Sequence, residues 1–166
     1  MSASTIKQSA EYQHKRHSMR SALFALVSIF TFGAVHLLLS KVTVGSESVK
    51  PYLLLRTAGI PKQGDYVTFP FSHPMIHTRA EFWVKFLACN EGQLLERSND
   101  QFFCDGKYFA DARLHSKKGE LLPQFSYDGQ IPEGMAFVLG DGQNSFDSRH
   151  FGLVSNKQMV VNRPIL

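Results

Sequence analysis

Phe82-Trp83-Val84-Lys85-Phe86-Leu87 is the stretch on which the fold class turns. It is rich in aromatic and β-branched residues, which favour a pleated, half-buried strand. A lysine sits in its middle. Strand alternation sets Trp83, Lys85 and Leu87 on one face and Phe82, Val84 and Phe86 on the other. Lys85 then either points to solvent or is buried, and burial would disfavour its ammonium form and lower its pKa.

Outward from this run, short apolar stretches recur between turn residues. Tyr52 to Leu55, Asp65 to Phe71, Phe82 to Cys89, Gln101 to Cys104 and Met135 to Leu139 read as strands. Gly64-Asp65, Asn90-Glu91-Gly92, Asp105-Gly106, Asp128-Gly129 and Gly140-Asp141-Gly142 punctuate them. No long stretch after residue 41 carries a helical period. The expectation is a mainly β protein, with residues 41–166 folding as one compact antiparallel domain.

Before that domain, Ser21 to Ser40 (SALFALVSIFTFGAVHLLLS) holds no formally charged residue. At about 1.5 Å per residue, such a stretch spans roughly 30 Å, the hydrocarbon thickness of a bilayer. It is longer than the apolar core of a secretory signal, and no small-x-small cleavage site precedes Lys41. The reading is an uncleaved transmembrane helix over 21–40, preceded by a basic tail over 1–20.

Charge supplies the direction. The 166 residues hold 18 Lys and Arg against 14 Asp and Glu, a net +4. Through Arg20 there are four basic residues and one acid, so most of the excess lies on the tail. The positive-inside bias keeps that tail cytoplasmic and carries the rest across, to the periplasmic side of a bacterial inner membrane. The exported part is nearly neutral, which argues against a phosphate-tracking surface and hence against nucleic acid as a partner. Cys89 and Cys104 would lie in an oxidising compartment, and two alternatives stand: a disulfide or two free thiols. Their spacing is not a CxxC metal or redox pattern. His73 and His77 are four apart, but Pro74 breaks the helix that would align them, so neither metal nor cofactor is expected.

Three segments stand out as chemistry-bearing. They are Gly45-Ser46-Glu47-Ser48-Val49-Lys50-Pro51-Tyr52-Leu53, the Lys85 strand, and Gly140-Asp141 through Ser145-Phe146-Asp147-Ser148-Arg149-His150-Phe151-Gly152. A neutral lysine amine can accept the proton of a serine hydroxyl, so Ser and Lys form a workable nucleophile and base. In this order the three segments resemble the type I signal peptidase family, membrane-anchored proteases with a Ser/Lys dyad. Lys62-Gln63-Gly64-Asp65-Tyr66-Val67-Thr68-Phe69 is similar to the family's glycine–aspartate–hydrophobic box. The match covers roughly residues 20–160, and its last box is the most specific. Asp105-Gly106-Lys107-Tyr108-Phe109-Ala110, Lys118 to Pro123 and Ser145 to Arg149 resemble one branch, the pilin-maturation peptidases of conjugative plasmids. There are departures. Phe86 stands where the family usually has arginine, Asn90-Glu91-Gly92 replaces a glycine–aspartate pair, and Gly142 stands where housekeeping enzymes commonly have asparagine.

The resemblance implies a signal-peptidase-like catalytic domain and assigns roles. Ser48 is the nucleophile and Lys85 the general base; apart from the resemblance, Lys50, two residues from Ser48, stands as a competing base. Ser46 is a candidate oxyanion donor, and Ser145 orients the lysine amine. Asp147 and Arg149 form a supporting ion pair. The substrate class implied is a precursor protein, a pilin propeptide or a signal peptide, met at the lipid bilayer. Pilin maturation, with or without cyclisation, is the first reading. A general signal peptidase and an inactive anchored assembly factor are the alternatives. The apolar run Phe69 to His77 either rests on the bilayer or caps the core.

Overall fold

The computed structural model describes residues 3–45, 48–50, 53–75 and 81–165. The chain forms two compact units, Met1–Lys41 and Val42–Leu166. The first is a single helix, α1 (Ala3–Leu39). The sequence reading separates a tail from an anchor at residue 20, whereas the helix runs through both, because nothing between Ala3 and Leu39 breaks it. Its stretch Lys15–Leu39 is long and apolar enough to cross a membrane. Two hydroxyls, one in the span and one just after it, are satisfied locally. Thr31 Oγ1 donates to the carbonyl of Val27 at 2.9 Å, and Ser40 Oγ to that of Leu37 at 2.8 Å. This back-bonding lets hydroxyls sit in an apolar helix without an unpaired donor.

The second unit is mainly antiparallel β. Its elements are β1 (Val42–Val44), β2 (Leu53–Thr57), β3 (Tyr66–Pro70), β4 (Phe82–Asn90), β5 (Leu94–Ser98), β6 (Gln101–Cys104), β7 (Lys107–Asp111), β8 (Gly129–Gln130), β9 (Met135–Leu139), a short helix α2 (Ser148–Phe151), β10 (Val154–Ser155) and β11 (Val160–Pro164). They form a seven-stranded sheet in the order β1-β2-β11-β3-β4-β9-β10 and a four-stranded sheet in the order β7-β6-β5-β8. All the strand pairs in both are antiparallel. The five runs read from sequence correspond to β2, β3, β4, β6 and β9. Strands β5 and β11 escaped that reading, because Glu96 and Arg97 in one and Asn162 and Arg163 in the other dilute the apolar signal.

Strands β4 and β9 lie between two apolar cores. Alternation along β9 sends Ala136 and Val138 into one and Phe137 and Leu139 into the other. A bulge between Leu87 and Cys89 in β4 breaks the alternation, so Leu87 joins the first of these and both Ala88 and Cys89 join the second. Cys89 is disulfide-bonded to Cys104 on β6, with Cα atoms 5.7 Å apart. That bond settles the alternative left open by the sequence and ties the larger sheet to the smaller one. The β6–β7 hairpin turns on Asp105 and Gly106, whose φ values of 50° and 73° match a two-residue turn that twists with its strands.

The apolar run after β3 divides. Phe69 is buried, and Phe71 packs against Trp83 and Phe151 at ring-centroid distances of 5.1 and 4.3 Å, so this part caps the core. Met75 is exposed. Ile76 and His77 lie outside the described residues.

Candidate active site

Lys85 occupies the middle of β4, between β3 and β9, opposite Val67 in the register. It is only 2% exposed. Its Nζ donates to Ser145 Oγ at 2.7 Å and lies 5.4 Å from the centroid of the Trp83 ring. Burial lowers its pKa to about 8, and the carboxylates of Asp147 and Asp141 pull in the opposite direction, while Arg149 reinforces the fall. The sequence left a solvent-facing lysine open, and the structure puts the side chain inside. β4 is flanked on both sides by β3 and β9, and Ser145 of the β9–α2 loop sits on the amine, which leaves Lys85 largely withdrawn from water.

Ser145 belongs to that loop, which runs from Gly140 to Asp147 between β9 and α2. Asp147 caps α2 from an extended backbone, accepting from Arg149 N at 3.3 Å. The same carboxylate accepts from Arg149 Nε at 2.7 Å, from Nη2 at 2.6 Å and from Gly140 N at 2.9 Å. Arg149 Nη1 reaches the carbonyl of Asp111 at 2.9 Å. Both members of the ion pair are buried, and their charges are met by several hydrogen bonds rather than by water. Ser148 Oγ accepts from Val138 N at 2.9 Å, so the helix also completes the hydrogen bonding of β9.

Ser48 lies on the turn after β1 and is half-buried. Its carbonyl accepts from Asp141 N at 2.8 Å. Gly140 shows how closely the parts converge. A Cβ at that position would stand 2.1 Å from Ser145 Oγ and 2.9 Å from the Ser48 carbonyl oxygen. Only a residue without a side chain allows both to approach the same point. The structure thus brings the Ser48 backbone and the Ser145 hydroxyl together at Gly140, with the Lys85 amine donating to that hydroxyl. Lys50 is exposed, whereas Lys85 is the buried lysine with a depressed pKa. Ser46 lies outside the described residues.

Two side chains that sequence reading gave no role belong to this neighbourhood. Asp141 Oδ2 accepts from Lys50 N at 2.6 Å and from the Tyr66 hydroxyl at 3.0 Å. Tyr66 read as an ordinary strand aromatic, and no linear pattern marks a contact 75 residues away. Beside them lies a cavity of about 480 Å³ whose walls include Tyr66, Phe86, Tyr108, Arg113, Gly140 and Asp141. A second, of about 290 Å³, includes Ser145, Phe146, Arg113 and Lys118. A buried amine that is partly neutral near pH 8, next to a serine, can move a proton in an acyl transfer.

The chain is similar to known proteins over most of its length. Residues 15–164 match the family described as signal peptidase, peptidase S26. The chain is 29% identical over 160 residues to signal peptidase I P of Bacillus subtilis subsp. natto, covering 86% of this chain and 83% of that one. It is 32% identical over 108 residues to signal peptidase I of Bacillus amyloliquefaciens, covering 60% of this chain and 53% of that one. A crystal structure of a signal peptidase I from Enterococcus faecalis aligns with 66% of this chain and 99% of its own, at 26% identity and a TM-score of 0.41.

Proposed function

The chain belongs to the signal peptidase family, peptidase S26, and from that premise we propose a membrane-anchored endopeptidase in which Ser48 is the nucleophile and Lys85 the general base. Its being a serine endopeptidase follows from the family and from the signal peptidases it resembles over most of its length. The assignment of the dyad is carried by one observation: Lys85 is buried with its pKa lowered to about 8 and its amine held by Ser145.

In the proposed reaction, Ser48 Oγ attacks the scissile carbonyl carbon while its proton passes to the neutral amine of Lys85. The tetrahedral oxyanion is met by the Ser48 backbone N–H, with Ser46 as a further donor on the strength of the resemblance. The C–N bond then breaks, and the Lys85 ammonium returns the proton to the leaving amine. A water molecule deprotonated by Lys85 attacks the resulting ester; the C–O bond to Ser48 breaks, and the Lys85 ammonium returns that proton to Ser48 Oγ as the new carboxyl end leaves. Asp147 and Arg149 act by holding the Gly140–Asp147 loop, and with it Ser145, over Lys85.

Helix α1 is the proposed anchor, with its basic end in the cytoplasm and the β unit outside. The substrates are then precursor proteins whose signal peptides emerge on that side of the membrane. A narrower reading is pilin maturation. It is favoured by the segment Lys118 to Pro123, which resembles that branch and whose Lys118, Glu120 and Leu122 line the same cavity as Ser145.

The test is cleavage of a membrane-inserted precursor by wild type, Ser48→Ala and Lys85→Ala. Both variants are expected to lose activity while remaining folded, and full activity in either overturns the dyad. A wild type that cleaves neither a signal-peptide precursor nor a pilin precursor would instead favour an assembly role. Mass spectrometry of a pilin product separates a linear trimmed chain from a cyclised one.

A further inference from the structure

The turn that carries Ser48 is held from two sides by one residue. Asp141 donates its backbone N–H to the Ser48 carbonyl at 2.8 Å, and its Oδ2 accepts the Lys50 N–H at 2.6 Å. Those two contacts bracket Ser48–Lys50 from a residue 91 positions beyond Lys50. The carboxylate can serve this turn only while its rotamer is fixed. Its other contact through Oδ2 is the Tyr66 hydroxyl at 3.0 Å. Tyr66 is set on β3 and pairs in register with Phe86 on β4, their rings edge to face with centroids 5.8 Å apart. Phe86 is the position at which the family pattern has an arginine. With no cation there, the phenol supplies a side-chain donor to the carboxylate.

We propose that Tyr66 is a positioning residue for catalysis: its hydroxyl locks the Asp141 carboxylate, and Asp141 in turn sets the Ser48 turn relative to Lys85. This rests on the reading of Ser48 as nucleophile. Burial and the neighbouring Asp141 push the phenol pKa up to about 12, so the donor keeps its proton throughout the range in which Lys85 titrates. The contact is a neutral donor to a charged acceptor, a stronger class of hydrogen bond than a neutral pair. Losing it frees the carboxylate to rotate and loosens the Lys50 N–H contact. The consequence is a small displacement of a nucleophile whose rate depends steeply on placement.

Tyr66→Phe keeps the ring and its packing on Phe86 and removes only the donor. In the full-length chain, acting on a signal-peptide precursor in detergent micelles, kcat is expected to fall roughly tenfold with KM little changed. The pH dependence set by Lys85 is expected to stay where it is, because the substitution neither adds nor removes a charged side chain. Adding Phe86→Arg places a guanidinium on the wall of the cavity that Asp141 also lines, and should restore most of the lost kcat. An unchanged kcat overturns the proposal, as does a rise in KM alone, which would make Tyr66 a substrate contact. A kcat loss that persists in a double variant melting like the wild type overturns it as well. If the double variant melts below the single one, the kcat and KM of Tyr66→Phe alone decide between the two outcomes. Ser48→Ala run alongside separates the two claims. If it still cleaves, the nucleophile is misassigned, whereas a dead Ser48→Ala beside a fully active Tyr66→Phe defeats only this inference.

Discussion

Lys85 Nζ and Ser145 Oγ stand 2.7 Å apart, joining the middle of a sheet strand to a loop 60 residues further along. Both side chains are almost wholly withdrawn from water. The hydroxyl replaces part of the hydration that the amine has lost without supplying a negative charge, so the amine is held in place while its proton stays easy to remove.

The first prediction concerns pH. A base with a pKa of about 8 is mostly protonated at neutrality and free above that value. Cleavage under kcat/KM conditions should therefore rise as pH increases through about 8 and then level off. A profile that stays flat from weakly acidic to alkaline pH would contradict Lys85 as the base.

Lys85 should also cost stability. Its pKa falls from 10.5 unfolded to about 8 folded, so between those values the unfolded chain binds the extra proton and stability rises with pH. Below pH 8 the penalty is fully present. Lys85→Met is thus expected to abolish activity yet stabilise the β unit at pH 7 by roughly 2 kcal/mol, after allowing for the lost bond to Ser145. Denaturant melts at pH 7 and pH 10.5 check this, since the gain should shrink at the higher pH.

Gly140→Ala tests the convergence around the site. The added methyl would lie 2.1 Å from Ser145 Oγ and 2.9 Å from the Ser48 carbonyl, and both contacts are too short to stand without a shift. A displacement of this size is expected to lower kcat by about 100-fold. Steady-state kinetics provide the measurement, and near-normal turnover would show that the geometry tolerates the shift.

The buried ion pair invites a stability test. Arg149→Met leaves the Asp147 carboxylate without its guanidinium inside the protein, a change that costs about 3–5 kcal/mol in comparable settings. Equilibrium unfolding should register that loss, together with loosening of the Asp111 end of β7, whose carbonyl Arg149 also holds.

The Cys89–Cys104 bond closes a loop with a sequence separation of 15 residues. On loop-closure arguments its removal should destabilise the β unit by about 3 kcal/mol. Unfolding of the Cys89→Ala, Cys104→Ala double variant against the oxidised wild type measures it, and equal midpoints would show that the packed sheets make the staple redundant.

What the sequence determined by itself lies along the chain. An uncharged run flanked by unequal charge marks the membrane-length helix, because hydropathy and charge need no knowledge of distant contacts. The aromatic strand Phe82–Leu87 and the turn at Asp105-Gly106 announce an antiparallel β unit, because strand and turn preferences act over two to six residues. The resemblance to the family boxes marks Ser48, Lys85, Ser145, Asp147 and Arg149 as candidates for one site. Only the tertiary structure decided that Lys85 is buried, that Cys89 and Cys104 are joined, and that Asp141 and Tyr66 close on the Ser48 turn. Each depends on segments 15 to 91 residues apart being packed against one another. Burial, and the pKa shift it causes, belongs to the assembled surroundings of a side chain and cannot be read from its immediate neighbours in sequence.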